Sequence, residues 1–256
     1  MECEQSIQAR YGQESVHYSQ GKIGNQEWLK YDEEAVFVAN CNKYPNNKSL
    51  KYYKENPIEY GFNELGYRTP DDFNDTDEGN VFLGCSNTIG AGLHLENTWA
   101  YKVNKEIGGK FWNLAQGGCG IQTDYRLLLG WKDDLKIKNI FHFTYPWPRF
   151  EFFDEQGVIQ FNQFGLKTAR SHKYWNFYID ILSGEEYCNY NQMVYINAIK
   201  GVSHEIGCNY YYLTDKILDE FPENDNSLQA RDLIHLSVGQ QNFLYEQMME
   251  CYNDKA

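Results

Sequence analysis

Three short segments of the chain bring together a nucleophile, an anion-stabilising turn and an acid–base pair. The first is Gly84-Cys85-Ser86-Asn87-Thr88-Ile89-Gly90-Ala91-Gly92-Leu93, directly after the apolar run Val81-Phe82-Leu83. A serine just past a buried strand can hold its hydroxyl above the sheet edge, and flanking glycines permit a tight turn and close approach of a ligand. The same string also fits a phosphate-binding or merely structural turn. It is neither Gly-x-Ser-x-Gly nor Gly-x-Gly-x-x-Gly, and no Gly-Lys-Ser/Thr occurs, so Walker-type nucleotide binding has little support. The second segment is Asn113-Leu114-Ala115-Gln116-Gly117-Gly118-Cys119-Gly120. Its glycines expose backbone donors of the kind an oxyanion hole needs, although a tight turn into a helix needs them too. The third is Asp232-Leu233-Ile234-His235. A three-residue offset lets both side chains point the same way. The carboxylate can then hold imidazole Nδ1–H and leave Nε2 as base. A surface Asp beside an unrelated His would leave the same string.

Other candidates are weaker. Tyr145-Pro146-Trp147-Pro148-Arg149-Phe150 carries aromatics that could stack on a sugar and an arginine that could pair with an anion; packing is the equal rival. Asn87, Thr144, Trp147 and Arg149 are the candidate substrate contacts. His142 lies within an expected strand and reads as packed. His94 follows the first glycine-rich loop, where it either lines a pocket or is exposed. His17, His172 and His204 lack metal-ligand spacing. Cys85 and Cys119 read as small buried packing residues.

Such segments need a frame that carries them to one edge. Strands are expected at Val81–Gly84, Phe111–Ala115, Ile137–Tyr145 and Cys208–Leu213. Helices are expected over Glu96–Ile107, Gln122–Leu135, Tyr174–Ile206 (as two) and Val238–Tyr252. Phe150–Lys167 reads as a hairpin or an irregular excursion. Strands alternating with helices imply parallel βαβ units, with ligands at the carboxyl ends of the strands. The acidic, turn-rich run Thr69–Asn80 is the candidate boundary. It divides an N-terminal extension, 1–79, of unknown role (cap, edge strand or partner surface) from an α/β domain, 80–256.

Composition narrows the classes. The chain has 256 residues, 42 % hydrophobic and 16 % aromatic, too rich in core formers for disorder. Its 23 Lys and Arg against 36 Asp and Glu give a formal charge of −13, without the global positive field of a duplex-DNA binder. No nucleic-acid partner is expected, and a strongly anionic substrate would need local help, from Arg149 or Arg126. No apolar run approaches the ~18 residues of a membrane span. Met1-Glu2-Cys3-Glu4 shows no secretory signal, and 7 dispersed Cys fit reduced thiols, so a cytoplasmic location is expected. The sequence leaves the oligomeric state open.

The three segments in this order resemble the SGNH hydrolases, the GDSL esterase/lipase family. The family's Gly-Asp-Ser-x-(Ser/Thr)-x-Gly block is similar to Gly84-Cys85-Ser86-Asn87-Thr88-Ile89-Gly90. Its Asn with an oxyanion-hole Gly five residues on falls on Asn113 and Gly118, and its Asp-x-x-His on Asp232 and His235. Phe62-Asn63-Glu64-Leu65-Gly66-Tyr67-Arg68 looks like a lead-in of some bacterial and phage members. The resemblance covers roughly residues 80–256. It implies a flavodoxin-like α/β/α sandwich with a mainly parallel sheet. Ser86 would be the nucleophile, His235 the base and Asp232 its orienting partner, with the N–H groups of Ser86 and Gly118 holding the oxyanion. It implies no cofactor and no metal. The substrate would be a small-molecule or glycan ester, O-acetyl carbohydrate foremost, and a transacylase would use the same residues. Two departures stand out: Cys85 replaces the block's Asp, and no Gly-x-Asn-Asp follows the third strand, where Thr144 and Arg149 are the candidate substitutes. The loss of that Asn favours an alternative, a weakly catalytic or inactive binding or structural protein of this fold, such as a component of a viral or phage particle.

Overall fold

The structure is a computed structural model that describes residues 23–73, 77–145, 148–154, 157–161, 175–222 and 225–254. In chain order its elements are β1 (Gly24–Gln26), α1 (Glu34–Lys43), α2 (Lys48–Glu55), β2 (Tyr60–Phe62), β3 (Gly79–Gly84), α3 (Ser86–Ile89) and α4 (Trp99–Ile107). Then come β4 (Lys110–Asn113), α5 (Ile121–Trp131), β5 (Ile137–Thr144), β6 (Phe150–Asp154), β7 (Gly157–Phe161), α6 (Glu185–Glu205), β8 (Asn209–Thr214) and α7 (Val238–Asn253). The main sheet runs β4-β3-β5-β8 with every neighbouring pair parallel. Counted within the sheet this is 2-1-3-4, the flavodoxin-like order, which puts the switch point between β3 and β5.

Alternation along the strands builds two cores. Val81 and Leu83 face one side with Ile140 and Tyr210, against Leu127, Leu128 and Trp131 of α5 and Ile199 and Val202 of α6. Phe82 faces the other side with Phe141, Phe143 and Tyr211, against Trp99 and Val103 of α4 and Leu244 and Met248 of α7. Each large apolar side chain buried this way contributes about 1.5–3 kcal/mol. The result is the expected three-layer α/β/α sandwich.

The expected boundaries shift where side chains intervene. Thr98 caps α4 by accepting Tyr101 N–H, which leaves Leu95–Asn97 as a separate 3₁₀ turn. α5 stops at Trp131, whose carbonyl takes the N–H groups of both Asp134 and Leu135 at 3.1 Å. β4 stops at Asn113, whose side-chain oxygen accepts Ala115 N–H at 3.2 Å and turns the chain. β6 and β7 form an antiparallel hairpin. The helical stretch before β8 divides at Ser183-Gly184, with a π-helical turn at Tyr178–Leu182 ahead of α6.

Residues 23–62 pack over the glycine-rich segments at the strand ends, while Tyr67 and Phe73 join the core beside Trp131. β1 and β2 pair antiparallel. Leu29, Tyr53, Ile58, Tyr60 and Phe62 pack on Ile89 and Leu93 of the first glycine-rich segment, on Ala115 of the second, and on Ala230. Among the described residues no helix is long and apolar enough to cross a membrane.

Candidate active site

β3 delivers the serine. Gly84 ends the strand at φ 142°, a conformation that side chains rarely adopt, and a Cβ there would strike Thr88 Oγ1 and lie 2.7 Å from the Phe143 carbonyl. The turn continues through extended Cys85 into α3, which Ser86 opens. Arg68, fully buried, fixes the far end of that helix. Its Nη1 donates to the Ile89 and Gly90 carbonyls at 2.8 and 2.7 Å, and its Nη2 to the Leu93 carbonyl at 2.8 Å.

β4 delivers the glycine loop to the same place. Gln116 N–H and Cys119 Sγ both donate to the Gly84 carbonyl, at 3.0 and 3.4 Å. The Asn113 carboxamide reaches Thr88 O at 3.4 Å. Gly118 is thereby carried beside the Ser86 turn. Burial pushes the Cys119 thiol pKa well up and the Asp124 carboxylate adds to it, so Cys119 is a thiol donor and not a nucleophile.

The Asp-x-x-His turn completes the set. Asp232 Oδ1 accepts the N–H groups of Ile234 and His235 at 3.0 and 3.1 Å, while Leu233 between them takes φ 61°. Asp232 Oδ2 meets His235 Nδ1 in a short contact, and His235 Nε2 lies 2.8 Å from Ser86 Oγ. Burial alone would raise the Asp232 pKa. The hydrogen bond and charge of His235 and the two backbone donors outweigh burial and hold the carboxyl below its usual range. With Nδ1–H committed to a carboxylate, Nε2 presents a lone pair to the hydroxyl.

A second buried chain supports the serine turn from behind. Asp124 Oδ1 accepts Gly84 N–H at 3.1 Å, its Oδ2 lies 3.1 Å from His142 Nε2, and His142 Nδ1 lies 2.9 Å from the Tyr210 hydroxyl. His142 is thus packed, as expected, and also linked.

The remaining candidates divide. Asn87 is a strut: its Nδ2 donates to Tyr145 OH at 3.0 Å and its Oδ1 accepts Leu236 N–H at 3.3 Å, tying the serine turn to the histidine turn. Thr144 is buried at the end of β5, in register with Thr214, one position past the Gly84–Phe143 pair. Trp147 lies outside the described residues. Arg149 lies within electrostatic reach of the side chains of Cys85 and Cys119, one on each glycine-rich loop. Arg126 is no anion receptor, because its Nε and Nη2 form a buried bidentate pair with Glu151 at 2.6 and 2.7 Å. His94 is partly buried and packs against the rings of Tyr52 and Tyr53.

Four contributors were missed by sequence reasoning: Tyr31, Arg68, Asp124, and the ion pair Arg231–Asp32. Arg231 carried one signal, its place next to Asp232. It donates to Asp32 Oδ2 at 2.7 Å from Nη2 and 3.1 Å from Nε, and its guanidinium stacks 3.7 Å from the Trp28 ring. A cavity of about 410 Å³ opens beside Asp232, between the Asp232–Ile234 turn and α1 residues Val36 and Asn40; Asp232 lines it and Ser86 does not. Among the described residues no group of three or more His, Cys, Asp or Glu side chains is placed to hold a metal ion.

No family model matches the chain, and no curated protein matches it. Among solved structures it is similar to an acetyl xylan esterase, Est2A, from the rumen bacterium Butyrivibrio proteoclasticus, with 12 % identity and a TM-score of 0.36. That match covers 71 % of this chain and 65 % of the other, so the chain spans less than two thirds of that neighbour's length. It is also similar to the acetyl xylan esterase AlAXEase, with 16 % identity and a TM-score of 0.32, over 67 % of this chain and 98 % of the other. At these identities and TM-scores neither neighbour assigns chemistry to this chain.

Proposed function

We propose that the protein is a serine ester hydrolase of the SGNH type that removes small acyl groups through an acyl-enzyme intermediate. The observation that carries this reading is the continuous contact Asp232–His235–Ser86, with 2.8 Å between His235 Nε2 and Ser86 Oγ. His235 Nε2 takes the Ser86 proton as Oγ bonds to the ester carbonyl carbon. The carbonyl oxygen becomes an oxyanion, held by the N–H groups of Ser86 and Gly118. The intermediate collapses as the alcohol leaves with the proton from His235. Water then repeats the cycle on the acyl-serine and releases the acid. The Arg149 guanidinium, from the segment after the third strand, adds positive charge beside Cys85 where the family carries its Asn.

Ser86 is only 3 % exposed, which favours a small acyl group such as acetyl. The carbohydrate half rests on family habit and on the aromatic segment around Trp147. The same residues would serve a transacylase with a sugar hydroxyl in place of water.

A fluorophosphonate probe followed by peptide mapping tests the reading. Labelling is expected at Ser86 and is expected to vanish in Ser86→Ala and His235→Ala. An unlabelled Ser86 in folded protein would instead favour the glycan-binding or particle-associated alternative.

A further inference from the structure

The resemblance leaves this chain one oxyanion donor short, and the N-terminal segment reaches the place where that donor is needed. Leu29 and Asp32 exchange backbone hydrogen bonds at 3.2 and 3.1 Å, making a tight turn with Lys30 and Tyr31 at its tip. Both ends of the turn are fixed. Leu29 is buried in the cluster beneath the glycine loops, and Asp32 is locked to Arg231 and to the Tyr60 hydroxyl.

From this mount the Tyr31 ring lies flush on Gly117. A Cβ at position 117 would strike Cε1 and Cζ of the ring and lie 2.6 Å from the Tyr31 hydroxyl, so this close approach requires glycine. The ring centroid is also 5.9 Å from that of His235. The ring therefore borders both the Gly117-Gly118 loop and His235. On the ester-hydrolase reading a bound ester brings its carbonyl oxygen to the Gly118 N–H, in the loop this ring covers. Burial raises the phenol's pKa, only partly opposed by Arg68, so the O–H stays a donor at neutral pH.

We propose that Tyr31 is a catalytic residue, whose phenol O–H donates to the oxyanion alongside the backbone of Ser86 and Gly118. It takes over, from an element at the other end of the chain, the work of the side-chain amide missing after the third strand. The assignment rests on the ester-hydrolase reading.

The test uses the full chain, 4-nitrophenyl acetate as probe ester, and Tyr31→Phe, which keeps the ring on Gly117 and removes only the hydroxyl. Ser86→Ala is run beside it. The expected result is a fall in kcat of about 10²-fold in Tyr31→Phe with KM nearly unchanged, as for loss of one oxyanion donor. Affinity for benzeneboronic acid, which forms a tetrahedral adduct on the serine, is expected to fall by a similar factor. A melting temperature equal to wild type would separate this from a packing defect. Tyr31→Phe within about twofold of wild type in both readouts overturns the assignment and leaves the hydrolase reading standing. A raised KM with unchanged kcat also overturns it and makes Tyr31 a substrate-binding wall. Wild-type turnover that is absent, or that survives in Ser86→Ala, overturns the hydrolase reading and the Tyr31 assignment together.

Discussion

His235 can act as a base only if Nε2 is unprotonated and aimed at Ser86, and both conditions depend on Asp232. The carboxylate fixes the tautomer through Nδ1 and fixes the turn through the N–H groups of Ile234 and His235. Asp232→Asn keeps the size and loses the charge, so kcat on an acetyl ester is expected to fall by about 10³–10⁴-fold. The same substitution has a pH signature in stability. The folded-state pKa of Asp232 is depressed, so its ionised form stabilises the fold at any pH above the unfolded value of about 3.9. That contribution is lost as pH falls through the lower, folded-state value. Urea unfolding of wild type and Asp232→Asn is therefore expected to show a stability gap at neutral pH that narrows below about pH 4. A gap that stays constant down to pH 2 would mean that packing, and not charge, carries the effect.

At the scale of elements, what was legible in the sequence and what was not follow from the range of the interactions. Val81-Phe82-Leu83-Gly84 announces a buried strand with a turn at its end, because apolar run and glycine are adjacent. Asp232 and His235 are three residues apart, so their partnership is a local fact. His142 could be read as packed from its strand. Its partner could not be read, because Asp124 lies on α5 and Tyr210 on β8, and only the assembled sheet brings them together. This chain joins three elements to the Gly84 N–H, one residue before Cys85-Ser86. Asp124→Ala would leave that N–H and His142 buried without their acceptor, a cost of about 2–4 kcal/mol by the usual penalty for buried unsatisfied groups. Tyr210→Phe leaves one buried group, His142 Nδ1, without that partner and is expected to cost less, about 1–2 kcal/mol. Chemical unfolding of the two variants checks the ordering. If Asp124 also holds the serine turn in place, the fluorophosphonate rate at Ser86 is expected to drop in Asp124→Ala while the protein is still folded.

At the scale of the whole molecule, the segment before the main sheet is where composition said least. Its Tyr- and Asn-rich texture marks neither a helix nor a strand, and its one short apolar stretch, Ala35–Ala39, lies in α1, which buries none of its residues. What ties residues 23–62 to the fold spans the chain: Asp32 meets Arg231 across 199 positions, and Tyr60 bridges Asp32 to the Gly92 N–H. One buried ion pair therefore joins the turn that carries Tyr31 to the residue next to Asp232. Removing one partner of such a pair leaves a buried guanidinium without its counter-charge and is expected to destabilise by about 3–5 kcal/mol. Asp32→Ala should lower the unfolding free energy by that amount, read as a fall in the urea midpoint at an unchanged m-value, since the surface exposed on unfolding is the same. It should also slow acyl transfer below the melting transition, because the Tyr31 turn loses one of its two anchors. Asp32→Asn, which keeps a hydrogen-bond acceptor for Arg231 and for Tyr60, should recover part of both losses. Full stability in Asp32→Ala would show that the stack on Trp28 and the bond to the Glu27 carbonyl, 2.6 Å from Arg231 Nη2, hold Arg231 without the carboxylate. In that case slow acyl transfer in the same variant would have to come from Tyr31 itself, which isolates its part in the chemistry from its part in the fold.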